Sequence, residues 1–150
     1  MRVSSIAVLI SVAAGALMAL PAFVQGAWAV QDQLTTLNGV ESVCTGVGSA
    51  KDNPAWSAYP IKLTFSNLAG ENEANEHVAV TQNGKLVMDT DCDAPWLLIK
   101  APAGRYDVTA TLSGGSTAHA SFSTGGSGAQ QAVNLAFPGT KSGTMKSGSP

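Results

Sequence analysis

Apolar and polar residues alternate with a period of two along much of this chain between residues 38 and 137. This period is typical of β-strands that bury one face. Two polar segments, 46–60 and 67–76, have the composition of loops. Asn83 and Gly84 favour a type I′ turn between two strands, because both residue types tolerate positive φ. The pattern therefore predicts an all-β chain, folded as an antiparallel β-sandwich of about seven or eight strands. The predicted strands are residues 38–45, 61–66, 78–82, 85–92, 96–99, 105–112, 117–124 and 131–137.

Residues 1–29 differ in character from the rest of the chain. Arg2 is their only charge, residues 6–20 are almost wholly apolar, and Ala27, Trp28 and Ala29 form a small-x-small peptidase site. We predict a signal peptide cleaved after Ala29 or, as a second choice, after Gly26. The alternative is a retained anchor, because the stretch is long enough to cross a bilayer. Cleavage predicts a periplasmic or secreted protein with a lead-in at 30–37, a sandwich domain at 38–138 and a disordered tail at 139–150.

Charge and cysteine content limit the partners and the compartment. The net charge is −2 and there is no basic run, so we expect no binding to nucleic acid and, after signal cleavage, none to a membrane. Cys44 and Cys92 both lie in the exported part and are predicted to form a disulfide. Two buried thiols or one metal site are the alternatives, although a Cys pair without CxxC or a nearby His is poor zinc spacing.

A proline-glycine turn joins two apolar strands near the middle of the chain. Its sequence, Ala-Pro-Ala-Gly-Arg-Tyr-Asp-Val at 101–108, follows the Asn83–Gly84 hairpin and the apolar run from Trp96. This region, and more broadly residues 61–137, resembles the carboxypeptidase regulatory-like, transthyretin-like β-sandwich domain, in which Leu is usual at the position of Ala101. Small exported bacterial proteins that carry this domain alone are similar. The resemblance implies a transthyretin-like or immunoglobulin-like fold with signature residues Pro102, Gly104 and Tyr106. It also implies a mostly non-catalytic role as a folding aid, spacer or binding module.

Three aspartates, Asp89, Asp91 and Asp93, begin like a calcium-binding loop. Such a loop needs Gly at its sixth position and Glu at its twelfth, where this chain has Ala94 and Lys100. We therefore expect solvated acids next to the disulfide and no metal site.

The two histidines, His77 and His119, lie in predicted strands among polar or small residues. Nucleophilic catalysis needs a hydroxyl or thiol held by a base, and the chain has no Gly-x-Ser-x-Gly nucleophile elbow. We predict that the protein is not an enzyme and has no cofactor.

Three aromatic residues of the mature chain suggest different roles. Trp96 begins an apolar run and is predicted to fill the core beside the disulfide. Trp56 and Tyr59 lie in the polar 46–60 loop, where exposed rings could stack on sugar. The alternative is that these two rings cap one end of the sandwich.

Together these features predict a small exported non-enzymatic binding or structural module of the bacterial envelope. Its partner would be an envelope protein or a glycan, and neither the ligand nor the oligomeric state follows from the pattern. Loops carry variable chemistry on rigid sandwiches, so we place the binding surface on the 46–60 and 67–76 loops. One alternative function is inhibition of a cell-wall hydrolase such as lysozyme, because an acidic loop suits a basic enzyme. The other is carbohydrate binding. The predicted surface residues are Trp56, Tyr59, Glu71, Glu73 and Glu76.

Overall fold

A computed structural model describes residues 32–126 and 128–139. Within them, two sheets of five and four strands pack into a β-sandwich, which confirms the predicted fold class. The predicted signal peptide and the tail from residue 140 lie outside the described residues. The strands are β1 (Leu34–Leu37), β2 (Val40–Thr45), β3 (Ile61–Asn67), β4 (Glu76–Gln82), β5 (Lys85–Cys92), β6 (Trp96–Lys100), β7 (Gly104–Leu112), β8 (Thr117–Thr124) and β9 (Gln131–Phe137).

The five-stranded sheet has the order β1-β2-β6-β3-β9, and the four-stranded sheet has the order β5-β4-β7-β8. Neighbouring strands are antiparallel except β3 and β9, which run parallel. This pair departs from the predicted all-antiparallel arrangement. After β8 in the other sheet, the chain enters the five-stranded sheet at the end where β3 also begins, so both strands run the same way.

The lead-in predicted at 30–37 contains a strand, because β1 pairs with β2 across a tight turn. Asn38 and Gly39 make this turn with φ of 50° and 77°. Asn83 and Gly84 make the predicted turn between β4 and β5 with φ of 52° and 77°. Both turns therefore use the positive φ that Asn and Gly tolerate, and the first was missed although its sequence signal was the same.

Side chains from both sheets fill one core between them. Tyr106 stacks on Phe122 with ring centroids 5.3 Å apart, and Phe65 packs against Phe137 at 6.5 Å. The Tyr106 hydroxyl donates to the carbonyl of Pro102 at 2.7 Å, which ties the proline-glycine turn to the start of β7. Burial of alternate residues explains the period of two in the sequence.

The predicted disulfide is confirmed. Cys44 on β2 is bonded to Cys92 on β5, with Cα atoms 5.5 Å apart, so the bond joins the two sheets. Cys92 is 1% exposed. The alternatives of two free thiols or a metal site at these cysteines are therefore excluded.

The prediction that Trp96 fills the core is wrong. Its neighbours on β6 alternate, and Leu97 points into the core while Trp96 and Leu98 point to the outer face of the five-stranded sheet. Trp96 is half-buried there, with the Lys62 ammonium 3.8 Å from its ring centroid. Both faces of a continuous apolar strand such as β6 are covered. Its sequence does not show which side chains face the core between the sheets and which face the outer surface.

The connections between strands lie at the two ends of the sandwich. We call one the loop end; it consists of the 68–75 loop, the 93–95 connection and the 113–116 turn. The opposite end, the turn end, carries the turns at 38–39 and 83–84. The disulfide lies near the loop end, because Cys92 is the last residue of β5.

Candidate functional site

The 46–60 loop lies against the outer face of the five-stranded sheet. It contains two 3₁₀ turns, Gly48–Asp52 and Pro54–Ala58, and its Tyr59 packs with Val43 and Leu98 in a small second core. Trp56 packs against this cluster, with its ring 6.2 Å from that of Tyr59. The loop therefore covers sheet surface that would otherwise expose apolar side chains.

Hydrogen bonds hold the two aromatic residues of this loop in place. The Trp56 indole donates to the carbonyl of Ala50 at 2.7 Å, and the Gln130 amide donates to the carbonyls of Trp56 and Tyr59. The Tyr59 hydroxyl donates to Glu41 at 2.9 Å. Burial raises the pKa of Tyr59 to about 12, and the bond to Glu41 acts in the same direction.

Trp56 and Tyr59 thus have structural partners instead of forming an open platform. Tyr59 is only 7% exposed, so its face is not available to stack on a sugar ring. The rings cover a sheet face, which is close to the predicted alternative that they cap the sandwich, although they lie on its side and not at its end.

The 67–76 loop has a different character, because its tip is rigid and exposed. Asn67 is 4% exposed, and its side-chain oxygen accepts from the backbone N–H groups of Ala69 and Glu71. Its side-chain amide donates to the Glu71 carboxylate at 2.6 Å, and the Gly70 N–H donates to its carbonyl. Leu68, held inside this turn, is 73% exposed. Burying such a side chain on a partner would remove a large apolar surface from water.

Acidic side chains also lie at the loop end. Glu71 and Glu73 lie in the loop, and Asp93 lies in the neighbouring connection. The basic residues Lys85, Lys100 and Arg105 occur at the start or end of strands on the turn end. Glu41, the ladder partner of Lys100, lies at the turn end as well, so the loop end is the more acidic of the two, and such a field favours approach of a basic partner.

Glu76 is not part of the acidic surface, which corrects its predicted role. It is the first residue of β4 and is 1% exposed, and neither carboxyl oxygen accepts a hydrogen bond from another residue. Burial raises the pKa of Glu76 to about 8; a backbone hydrogen bond opposes this, and the charges of Glu73 and Asp93 add to it. The sequence hid this burial because a Glu among polar residues has the pattern of a solvated loop.

A third polar surface lies on the outer face of the four-stranded sheet. There His77 lies between Asp89 and Asp91, with each ring nitrogen 2.7 Å from a carboxylate oxygen. The hydrogen bond to Asp91 raises the pKa of His77, and the charge of Asp89 acts in the same direction. All three side chains are well exposed, so these pairs add little to stability.

The other histidine lines a shallow groove of about 420 Å³ on the same face. His119 shares a 3.0 Å hydrogen bond with Thr109, and Ser121 donates to Asp107 at 2.6 Å. In the described residues, His77 is thus paired with two aspartates and His119 with the hydroxyl of Thr109, and neither histidine is bonded to a serine or a thiol.

No group of three or more His, Cys, Asp or Glu side chains in 32–126 and 128–139 is placed to hold a metal ion. Within the same residues, no helix has the length and apolar character needed to cross a membrane. Comparison of the chain with models of known families, with curated proteins and with solved structures gives no match. The resemblance to the carboxypeptidase regulatory-like domain accordingly stays a prediction based on the turn at 101–108.

Proposed function

We propose that this chain is a small exported, non-enzymatic β-sandwich of the bacterial envelope that binds a basic protein through its loop end. The observation that carries the proposal is Leu68, which is 73% exposed on a turn fixed by Asn67. A turn whose backbone is already held loses little conformational freedom when a partner covers it. The predicted signal peptide and the disulfide support the envelope location, because disulfides persist in oxidising compartments.

The acidic groups around Leu68 favour a basic partner over a glycan. Glu71, Glu73 and Asp93 would attract cationic side chains and raise the association rate, and this attraction would weaken as salt is added. A neutral sugar gains nothing from such a field. Of the two aromatic rings predicted to stack on sugar, Tyr59 is 7% exposed and Trp56 is partly buried against it.

Site-specific photocrosslinking in the native envelope tests the proposal. A photoreactive residue at position 68 should capture a basic protein, whereas one at Leu86 should not. Leu86 is a matched control because it is 48% exposed and lies at the turn end, beside the 83–84 turn. Equal crosslinking from both positions, or a captured partner without a basic surface, would contradict the proposal.

Binding of the captured partner in purified form gives the second test. The Leu68→Asp variant should weaken binding at least about tenfold, because an exposed apolar anchor is replaced by a charge that needs water. The Leu86→Asp variant should bind like the unmodified protein. Added salt should lower the affinity of the unmodified protein for this partner. An affinity unchanged by salt would contradict the claim that the acidic side chains attract it.

Inhibition of a cell-wall hydrolase is the second candidate, and the rigid loop tip is the observation that favours it. An apolar side chain among carboxylates suits insertion into the cleft of a basic enzyme such as lysozyme. A lysozyme assay with the unmodified protein and the Leu68→Asp variant tests it. No inhibition by about micromolar unmodified protein would exclude this candidate and leave the broader binding proposal standing.

A further inference from the structure

Glu76 is a buried acid, and its own backbone N–H offsets only part of the cost of burying its charge. Both carboxyl oxygens are inaccessible to water and accept no hydrogen bond from another residue, and its ladder neighbours are Cys92 on β5 and Leu112 on β7. Directly paired residues on adjacent strands point to the same face, so the carboxyl group shares the inner face with a disulfide sulfur and a leucine. An ionised carboxylate would lose its hydration there without replacement.

The charged groups that face Glu76 also oppose its ionisation. The 68–75 loop contributes Glu73, and the 93–95 connection contributes Asp93, which are both acids. Its ladder partners on β5 and β7 are the disulfide-bonded Cys92 and Leu112, and neither titrates near neutral pH. Burial is the main cause that raises the pKa of Glu76 to about 8, and the two acids act in the same direction.

Glu76 is also the point at which the 68–75 loop joins β4. Asn75, directly before it, has φ of 67°, so the chain turns sharply into the strand. The loop is also held to β3 by bonds of its own, from Glu73 N–H to the carbonyl of Phe65 at 3.0 Å and between Asn67 and Glu71. Movement of the Glu76 side chain out of the core would therefore displace the start of β4 and the loop before it.

We propose that Glu76 is a proton-controlled latch: as a neutral acid it stays in the core and holds the 68–75 loop, and after losing its proton to solvent it leaves. Loss of the latch makes the loop end mobile. The consequence for binding rests on the proposed function, because a mobile Leu68 would lose the advantage of being held in place. The latch itself concerns only this chain and can be tested without a partner.

The direction of the pH effect follows from the two protonation states. The closed loop holds the proton with a pKa of about 8, whereas an open loop exposes an acid with the ordinary value of 4.5. Below 4.5 both forms are protonated and the opening equilibrium is independent of pH. Between 4.5 and about 8 opening releases a proton, so the open fraction grows about tenfold for each pH unit.

Hydrogen exchange of the isolated protein measures this opening. After correction for the intrinsic exchange rate, protection of the Glu71 and Glu73 amides should fall about tenfold per pH unit over this range. In the Glu76→Gln variant, protection of the same amides should be independent of pH. Amides of β6 should stay more protected than those of the loop at every pH in both proteins, because they exchange only through larger openings. Unchanged loop protection in the unmodified protein, or a fall that persists in Glu76→Gln, would overturn the latch.

Further variants keep the result interpretable. Glu76→Met has similar bulk without a polar group and replaces Glu76→Gln if the buried amide prevents folding. Asp52→Asn changes an exposed acid of the other loop and should leave the fall in protection unaltered. Infrared difference spectra supply an independent readout, because the carbonyl band of a protonated acid should be present at neutral pH and missing in Glu76→Gln. Absence of this band from the unmodified protein would also overturn the proposal.

The outcomes separate the latch from the binding function. If protection of the loop amides does not change with pH but position 68 crosslinks to a basic protein, the latch is refuted and the binding surface is supported. If protection of the loop amides falls with pH but position 68 does not crosslink, the latch is supported and the proposed binding function is refuted.

Discussion

Removing the covalent link between Cys44 and Cys92 should destabilise the sandwich by about 4 kcal/mol, because the bond closes a loop with a sequence separation of 48. The figure is the chain entropy that an unfolded chain regains when a link of this span is broken. A domain of this size has a total stability of about 5–15 kcal/mol. The reduced protein should therefore retain its fold with a small margin, or unfold in part at body temperature.

Urea denaturation followed by tryptophan fluorescence measures this loss. Trp56 and Trp96 lie on the outer face of the five-stranded sheet and report on its integrity. The oxidised protein is compared with the protein after reduction, which removes the link and keeps both sulfur atoms. The denaturant slope should rise on reduction, because the unfolded chain without the link exposes more surface.

The double variant Cys44→Ala and Cys92→Ala separates the link from packing. It loses the entropy term and also two buried sulfur atoms, so it should be less stable than the reduced protein by about 1–2 kcal/mol. A reduced protein within about 1 kcal/mol of the oxidised protein would refute the reasoning. Such a result would mean that the unfolded chain keeps the two segments close without the bond.

Three further substitutions probe the sheet face, the buried acid and the second core. Gly46→Ala should lower the free energy of unfolding by about 2–3 kcal/mol, because φ at Gly46 is +103° and a Cβ there would lie 2.7 Å from the Trp96 ring. Its control, Gly48→Ala, has open space around the new Cβ and should lower the free energy of unfolding by about 1 kcal/mol. Thermal or urea unfolding measures both. In urea titrations at several pH values, the unmodified protein should lose about 1.4 kcal/mol per pH unit between 4.5 and about 8, with no change below this window; Glu76→Gln should lack this slope. If the Glu76→Gln variant keeps this pH dependence, a group other than Glu76 causes it. Tyr59→Phe should cost about 1 kcal/mol through its lost hydrogen bond, and an unchanged urea midpoint would show that the bond adds nothing.

The loop end and the outer face of the four-stranded sheet offer different kinds of polar surface. On the sheet face, His77 is bonded to two aspartates, and Ser121 is bonded to Asp107, so the polar groups satisfy one another. At the loop end, Leu68 is apolar, exposed and fixed in position. An exposed apolar group gains most from a partner, which is why the proposed binding surface lies at the loop end.

Much of the strand pattern was predictable because its causes are local. A half-buried strand alternates residue by residue, as in Ile61–Asn67, and the Asn83–Gly84 pair makes its turn from its own backbone preferences. The cysteine number and the predicted signal peptide indicated the disulfide without any knowledge of strand pairing. Even β1 had a local signal in Asn38 and Gly39, and only the weak alternation of the strand concealed it.

The candidate site depended on contacts between distant segments. Trp96 was predicted in the core because its run is apolar, but the 46–60 loop covers the other face of that sheet and buries Leu98 there. Tyr59 became a packing residue for the same reason. For both residues the residue type indicated at least partial burial. The segment that covers each side chain lies elsewhere in the chain, and only the fold shows which segment it is.

By itself, therefore, the sequence determined the all-β class, most strand positions, the tight turn at Asn83–Gly84 and the cysteine pair, because each depends on neighbouring residues or on composition. Only the tertiary structure decided that Leu68 is fixed and exposed while Glu76, a few residues later, is buried without a partner. Both lie in one polar segment with the same local pattern. Their difference arises because β4 begins at Glu76 and turns its side chain between the sheets, beside Cys92 and Leu112.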